Sequence, residues 1–319
     1  MRDDAPQRTG TGEPPTTPTP PTTPGPVRPA GSPAPPTPGF PAATADGFSP
    51  VTATGDAPAA APAPAPSRAP RPDRPVVLIT GASSGIGEAA AARLAAAGWR
   101  LLLSGTDRPR LDAVADRTGG AALAEDLSTP DGPDRLAERA LAAAGRVDAL
   151  VASAGLGWRG PYDRTPPDLL DRMVEVNLTA PMRLVRHLLP GMLERRRGRI
   201  VLLGSMAGQV GVRDEAAYAA TKGGLTLFAE SLWYELRGTG VGVRIILPGA
   251  VDTPFFHHRG TPYQRGRPRP VPPERVADTV MAALTGTQDR IFVPRWLAGP
   301  ARIHGAAPGV FRRMASRFG

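Results

Sequence analysis

The chain has 319 residues with 40 prolines, no cysteine and a net charge of +9. The lack of cysteine excludes a disulfide framework, thiolate chemistry and a cysteine metal clip. No run reaches the ~18 apolar residues of a spanning helix. The opening "MRDDAPQRTG" carries acidic residues and no apolar secretory h-region, and a soluble cytoplasmic protein is the expectation.

Residues 1–74 read as a disordered, proline-, alanine- and threonine-rich tail. Of the 40 prolines, 22 lie in residues 1–75, and Phe40 and Phe48 are the aromatics there. Such a stretch buries too little apolar surface to offset its ordering entropy. A spacer is the expected role, with a ligand for a proline-binding module as the alternative.

From Pro75 the pattern alternates between short apolar runs and helical segments. "PVVLIT" is a β-branched run bounded by Pro and Gly, as in a buried parallel strand. A glycine turn leads into the alanine-rich helix "GEAAAARLAAAG". Strand "WRLLLSG", helix "RPRLDAVADRTG", strand "AALAED", helix "DGPDRLAERALAAAG" and strand "VDALVASAG" follow. A long helix is predicted from about Pro167 to Arg195, then strand "GRIVLLGS" and a helix from about Ala217 to Arg237. Strand "GVRIILPG", helix "PPERVADTVMAALTG" and strand "DRIFVP" complete the series. Repeated units of this length predict one α/β domain over residues 75–319, a doubly wound, mostly parallel seven-stranded sheet of the Rossmann type. Ligands bind such sheets at the carboxyl ends of the strands, near the switch point.

The first turn reads "TGASSGIG", residues 80–87, between the first strand and its helix. Gly81 permits the tight turn, Gly85 lets backbone approach a pyrophosphate, and Gly87 allows close helix packing. The helix N-terminus offers unpaired N–H groups to phosphate. T-G-x-x-x-G-x-G at this place in a seven-stranded doubly wound domain resembles the short-chain dehydrogenase/reductase family. The resemblance runs motif by motif over roughly residues 75–255 and thins after Thr253.

That resemblance directs attention to Tyr218 and Lys222, four apart on one helical face. Lys222 is the only lysine in the chain. A phenol with a pKa near ~10 is a poor acid or base at neutral pH, and a neighbouring ammonium favours the phenolate. A compact ammonium fits under a tyrosine and keeps donors for ribose hydroxyls, where the planar guanidinium of arginine does not. In the family, the asparagine matching Asn177, the only one in this chain, holds a water that passes protons to the lysine. Ser205, 13 residues ahead of Tyr218, would hydrogen-bond the substrate oxygen. The resemblance thus implies a catalytic set of Asn177, Ser205, Tyr218 and Lys222.

For the cofactor it implies Gly81, Ser83, Ser84, Gly85, Ile86 and Gly87 in the first turn, and Asp126 and Leu127 after the third strand. Residues 152–155, "ASAG", stand where N-N-A-G is usual, so Ala154 and Gly155 match while both asparagines are replaced. Pro248, Gly249, Val251 and Thr253, in "PGAVDT", belong to the loop that approaches the nicotinamide. Gly105 stands where an acidic residue would hold the ribose 2′-hydroxyl, and Thr106, Ser84 and Arg108 can receive a 2′-phosphate. NADP is therefore favoured over NAD. The expected activity is hydride transfer between the nicotinamide and a carbonyl or secondary-alcohol substrate; the alternative is a non-catalytic NADP(H)-binding regulator.

Residues 254–272 are expected to form a substrate lid without regular structure, with Phe255, Phe256 and Tyr263 lining a pocket. His257 and His258 are adjacent and make a poor metal pair, so no metal is expected. Residues 254–319 carry eleven arginines against three acids, and 293–319 form a basic extension. No nucleic-acid motif accompanies that charge. Pro300, Pro308 and the nearby glycines speak against a membrane-surface helix there, and packing near the active-site entrance or across a subunit contact is favoured. By family analogy the chain forms a dimer or tetramer.

Overall fold

The computed structural model describes residues 74–263 and 268–318. The tail reading therefore lies outside the described residues except at Arg74. Seven strands form one sheet in the order β3-β2-β1-β4-β5-β6-β7, every neighbouring pair parallel. They are β1 (Val76–Thr80), β2 (Arg100–Ser104), β3 (Ala121–Ala122), β4 (Ala149–Ala152), β5 (Gly198–Leu203), β6 (Val241–Pro248) and β7 (Arg290–Val293).

The apolar runs are nearly continuous because both faces of the sheet are covered. Alternate residues serve opposite cores. Leu78, Leu102, Leu150 and Leu202 pack beneath α3 (Gly132–Ala144), α5 (Ala180–Glu194) and α6 (Ala216–Glu235). Ile79, Leu103, Val151 and Val201 pack beneath α1 (Gly85–Ala96), α2 (Arg108–Thr118) and α8 (Pro273–Thr285). The alanines of α1 are what let it lie close against α8: Ala90 and Ala91 are buried there with Val276, Ala277 and Val280. Strand order reverses at β1, which has β2 on one side and β4 on the other, so the crevice opens at the carboxyl ends of β1 and β4.

Four local readings are corrected. Strand "AALAED" shortens to Ala121–Ala122, because beyond Ala122 the chain follows β2 only through Leu123 N–H to Leu103 O (2.7 Å) and Glu125 N–H to Gly105 O (3.3 Å). The long helix is α4 (Pro167–Val174) and α5 joined by a π-turn, Glu175–Thr179, with Asn177 at its centre. The lid contains a helical turn, α7 (Phe255–His258), started by Pro254. The C-terminal extension is two helices, α9 (Ala298–Ala306) and α10 (Pro308–Phe318). Pro300 and Pro308 sit in their first turns, where a missing N–H costs nothing, and so they open these helices.

Within the first turn the tightest steric point is Gly87. A Cβ there would lie 2.2 Å from Gly81 O and 2.8 Å from Ser153 Oγ. Gly87→Ala must push α1 off the turn, and its urea midpoint is expected to fall by an amount worth about 1–3 kcal/mol. Gly299→Ala, in α9 with nothing within 4 Å, is the matched control and is expected to unfold like the wild type or slightly later. Equal midpoints for the two variants would refute the packing role of Gly87.

Candidate active site

The first turn brings three segments together. Gly81 and Gly85 have φ of 66° and 57°, which favour glycine. A Cβ on Gly81 would lie 2.8 Å from Ala154 Cα, so the turn after β1 rests on the turn after β4. A Cβ on Gly85 would lie 3.0 Å from Thr253 Cγ2, so the loop after β6 closes the other side. Ser84 is the N-cap of α1 but makes no side-chain cap hydrogen bond, and the start of the helix keeps its N–H groups for a ligand.

The replaced asparagines of the β4 turn are compensated within this chain. Thr80 Oγ1 accepts from the N–H groups of Ser153 and Ala154, each at 3.2 Å, and Ser153 Oγ donates to Thr80 O at 2.6 Å. The hydroxyls of Thr80 and Ser153 thus hold the turn where an amide pair is usual. Sequence reading passed over Thr80, although its place at the end of β1 was a usable signal.

Asn177 is buried and fully engaged. Its Oδ1 accepts from Leu156 N–H (2.8 Å), and its Nδ2 donates to Leu156 O (2.8 Å) and Thr221 Oγ1 (3.1 Å). The amide therefore pins the loop after β4 to the π-turn and to α6. Lys222, one helical turn beyond Tyr218, is buried as well, and Nζ donates to Leu203 O at the end of β5 (2.9 Å). Burial pulls its ammonium down to about 8. An ammonium has three donors. Gly155 leaves a ligand's hydroxyl room to reach the others, since a Cβ there would lie 3.6 Å from Nζ and 3.3 Å from Asn177 Oδ1. This donor set fits the sugar hydroxyls of a nucleotide whose phosphates lie at the glycine turn.

Tyr218 is part-buried on α6, with Lys222 Nζ 6.0 Å from its ring centroid. Ser205 follows β5, accepts from Ala207 N–H (3.1 Å) and is a hydrogen-bonding neighbour of the phenol. The phenol does not follow the expectation that the lysine lowers it. Burial pushes Tyr218 up to about 12, the Ser205 hydroxyl pulls back, the Glu215 carboxylate raises it further, and Arg259 opposes that. Desolvation of the ring outweighs a cation 6.0 Å away.

The lid covers this tyrosine through contacts no motif announced. Phe255 packs on Tyr218 with ring centroids 5.5 Å apart and closes against Gly157, whose added Cβ would meet Phe255 Cζ at 2.5 Å. Phe256 touches Phe255 and Tyr263, at 5.8 and 5.2 Å between centroids. Arg259 stacks on Phe256 at 4.5 Å and donates to Glu215 Oε1 at 2.5 Å. Both charged side chains are largely buried, 4% and 12% exposed. Glu215, three residues before Tyr218, was legible as a same-face neighbour; its partner 44 residues on was not.

At the adenosine end, Asp126 Oδ1 accepts from Ser128 N–H (2.9 Å) and Oγ (2.7 Å). Burial raises the Asp126 carboxyl, but the Ser128 hydrogen bonds and Arg172 outweigh it and hold it below the ordinary value. Leu127 is buried in the core beside it. A Cβ on Gly105 would lie 3.0 Å from Ser83 Oγ, and Thr106 is exposed. Asp107 caps α2 by accepting from Arg110 N–H at 3.1 Å. Arg108 is held by Asp112 at 2.7 Å and must leave that exposed pair to reach a ligand.

Comparison with known proteins agrees with this geometry. The sequence profile described as short chain dehydrogenase matches residues 75–264. Dehydrogenase/reductase SDR family member 7B of Bos taurus is 32% identical over 266 residues, covering 76% of this chain and 81% of that protein. A short-chain dehydrogenase from Sphingobium yanoikuyae, solved in complex with NADPH, superposes with a TM-score of 0.67 at 30% identity, covering 75% of this chain and 95% of that one. A short-chain dehydrogenase/reductase from Burkholderia phymatum, in complex with NAD, gives 0.67 at 25% identity with the same coverage. The chain belongs to the short-chain dehydrogenase/reductase family of NAD(P)-dependent oxidoreductases.

Proposed function

We propose that this protein reduces a carbonyl compound to a secondary alcohol, or runs the reverse reaction, with NADP in preference to NAD. The observation that carries the reading is the gathering of Asn177, Ser205, Tyr218 and Lys222 at the carboxyl ends of the central strands, beside the glycine turn. The bound nicotinamide supplies or accepts the hydride. Ser205 donates a hydrogen bond to the substrate oxygen, and Tyr218 gives that oxygen its proton during reduction and takes it back during oxidation. Lys222 holds ribose hydroxyls and places a positive charge beneath the site. The preference for NADP rests on the lack of a carboxylate at Gly105 and on the hydroxyls of Ser83, Ser84 and Thr106, with Arg108 nearby. A second copy of the chain is the partner that exposed Leu227 and Tyr234, seven apart on α6, are suited to meet.

The reading is tested with a panel of ketones and both reduced nucleotides. Tyr218→Phe is expected to lower turnover by roughly 10²–10⁴-fold or more while NADPH still binds. NADPH is expected to bind more tightly than NADH to wild type and variant alike. Wild-type turnover in Tyr218→Phe would overturn the catalytic role, and tighter NADH binding would overturn the cofactor choice.

The raised phenol has a consequence for pH. Below about 12 the phenol is mostly protonated, so the acid needed for reduction is present throughout the neutral range. The phenolate needed for oxidation grows about tenfold per pH unit over that range. Oxidation of the matching alcohol is therefore expected to climb from about pH 6 to about pH 9 while reduction does not. A flat oxidation profile, measured at saturating nucleotide, would contradict this.

The Glu215–Arg259 pair holds the lid against Tyr218. Removing one partner leaves a buried charge unpaired, and Arg259→Met is expected to cost roughly 3–5 kcal/mol and to speed amide hydrogen exchange over Pro254–Tyr263. The double variant Glu215→Met/Arg259→Met is expected to recover much of the stability, because neither charge remains. Additive losses in the double variant would show that the two side chains act separately.

A further inference from the structure

The described surface leaves several large apolar side chains exposed near the C-terminus: Trp296 (55%), Ile303 (46%), Val310 (54%) and Met314 (43%). Three lie on α9 and α10 and the fourth on the short turn Arg295–Leu297 before them. The contacts of α10 concentrate on α9, where the Phe311 ring meets His304 edge-on at 5.1 Å. At about 100° per residue, Val310, Met314 and Phe311 fall within an arc of about 100°, and Arg312 and Arg313 border it on its two sides. Charge in this segment has one sign. The last acid in the chain is Asp289, and residues 290–319 carry six arginines. Arg295, Arg302, Arg312 and Arg313 are exposed. Arg295 and Arg302 also line, with Arg275 and Arg290, an open cleft of about 1080 Å³ between α8, β7 and α9.

We propose that residues 295–314 form an interfacial anchor that lies on an anionic lipid bilayer. Short helices with an apolar stripe, arginines at its margins and a tryptophan at one end are built to sink their stripe to the headgroup boundary while the guanidinium groups reach lipid phosphates. At nine and eleven residues α9 and α10 lie on a bilayer rather than cross it. A second copy of the chain is a poorer occupant, because its matching face would set arginine against arginine with no acid in either segment. The anchor is fixed to the catalytic domain at the cofactor loop. Leu297 is buried, and its Cδ1 lies 2.9 Å from where a Cβ on Gly249 would stand.

The test is co-sedimentation of the full chain with vesicles of phosphatidylcholine alone and of phosphatidylcholine mixed with phosphatidylglycerol, at low and high salt, with solution mass measured in parallel. Binding to the mixed vesicles, weakened by salt and absent from the neutral ones, is expected. Val310→Asp/Met314→Asp is expected to weaken it at least about tenfold, and Arg312→Glu/Arg313→Glu likewise, with the circular dichroism of the domain unchanged. No binding to the mixed vesicles overturns the proposal. So does binding that survives both double variants, or a dimer that Val310→Asp/Met314→Asp alone dissociates, which would assign the face to a second copy. Capture of an acidic protein in place of vesicles would overturn it too.

Discussion

A buried ammonium is the constraint around which this site is built. Lys222 leaves water for the base of the crevice, where the carbonyl at the end of β5 accepts one of its hydrogen bonds. Burying a charge with so few partners is unfavourable, and its depressed proton affinity records that cost. A guanidinium would bring five donors and no ability to release its proton, which explains why a chain that otherwise uses arginine throughout keeps a single lysine here. The neighbours follow from that choice. Asn177 cannot move because both ends of its amide are engaged, and Gly155 cannot grow a side chain without meeting Asn177 Oδ1 and Lys222 Nζ.

Two charges beside the tyrosine work against each other. Glu215 disfavours the phenolate and Arg259 favours it, yet the same two side chains bind one another and fasten the lid. Lid position and tyrosine electrostatics are therefore not independent. Displacing Arg259 removes a cation from the phenol and a clasp from the aromatic cluster of Phe255, Phe256 and Tyr263 in one movement.

Much of the fold was legible because parallel strands buried on both faces leave long apolar runs, as in β1, β5 and β6. Ser205, Tyr218 and Lys222 were legible as candidates because their spacing is local, four residues from Tyr218 to Lys222 and 13 back to Ser205, while Asn177, 41 residues before Tyr218, was reached only through the family resemblance. What escaped has physical causes. The π-turn at Asn177 changes hydrogen-bond register by one residue without altering composition. β3 fades because the segment after Ala122 keeps beside β2 with only intermittent bonds. Pro300 and Pro308 read as breakers, since the residue that interrupts a helix is also the one that opens it. The Glu215–Arg259 clasp joins residues 44 apart, and no periodicity records such a contact. The rise of the tyrosine pKa was missed because ring burial depends on Phe255, a residue of the distant lid.

The π-turn between α4 and α5 also has a bearing on how this chain can change. One extra residue would advance the phase of a regular helix by about 100°, and a π-turn absorbs it by widening a single turn so that the flanking halves keep their directions. Met173 before the turn and Leu184 and Leu188 after it all face the interior, so the two halves sit against the core on either side of a turn that holds one residue more than a regular helix would. Loss of a single residue between 175 and 179 would close that turn into regular helix with both halves still against the core, and the change would fall on Asn177 and its bonds to Leu156 and Thr221. The turn is thus where a change of length by one residue is absorbed, and the amide of Asn177 is what such a change would displace.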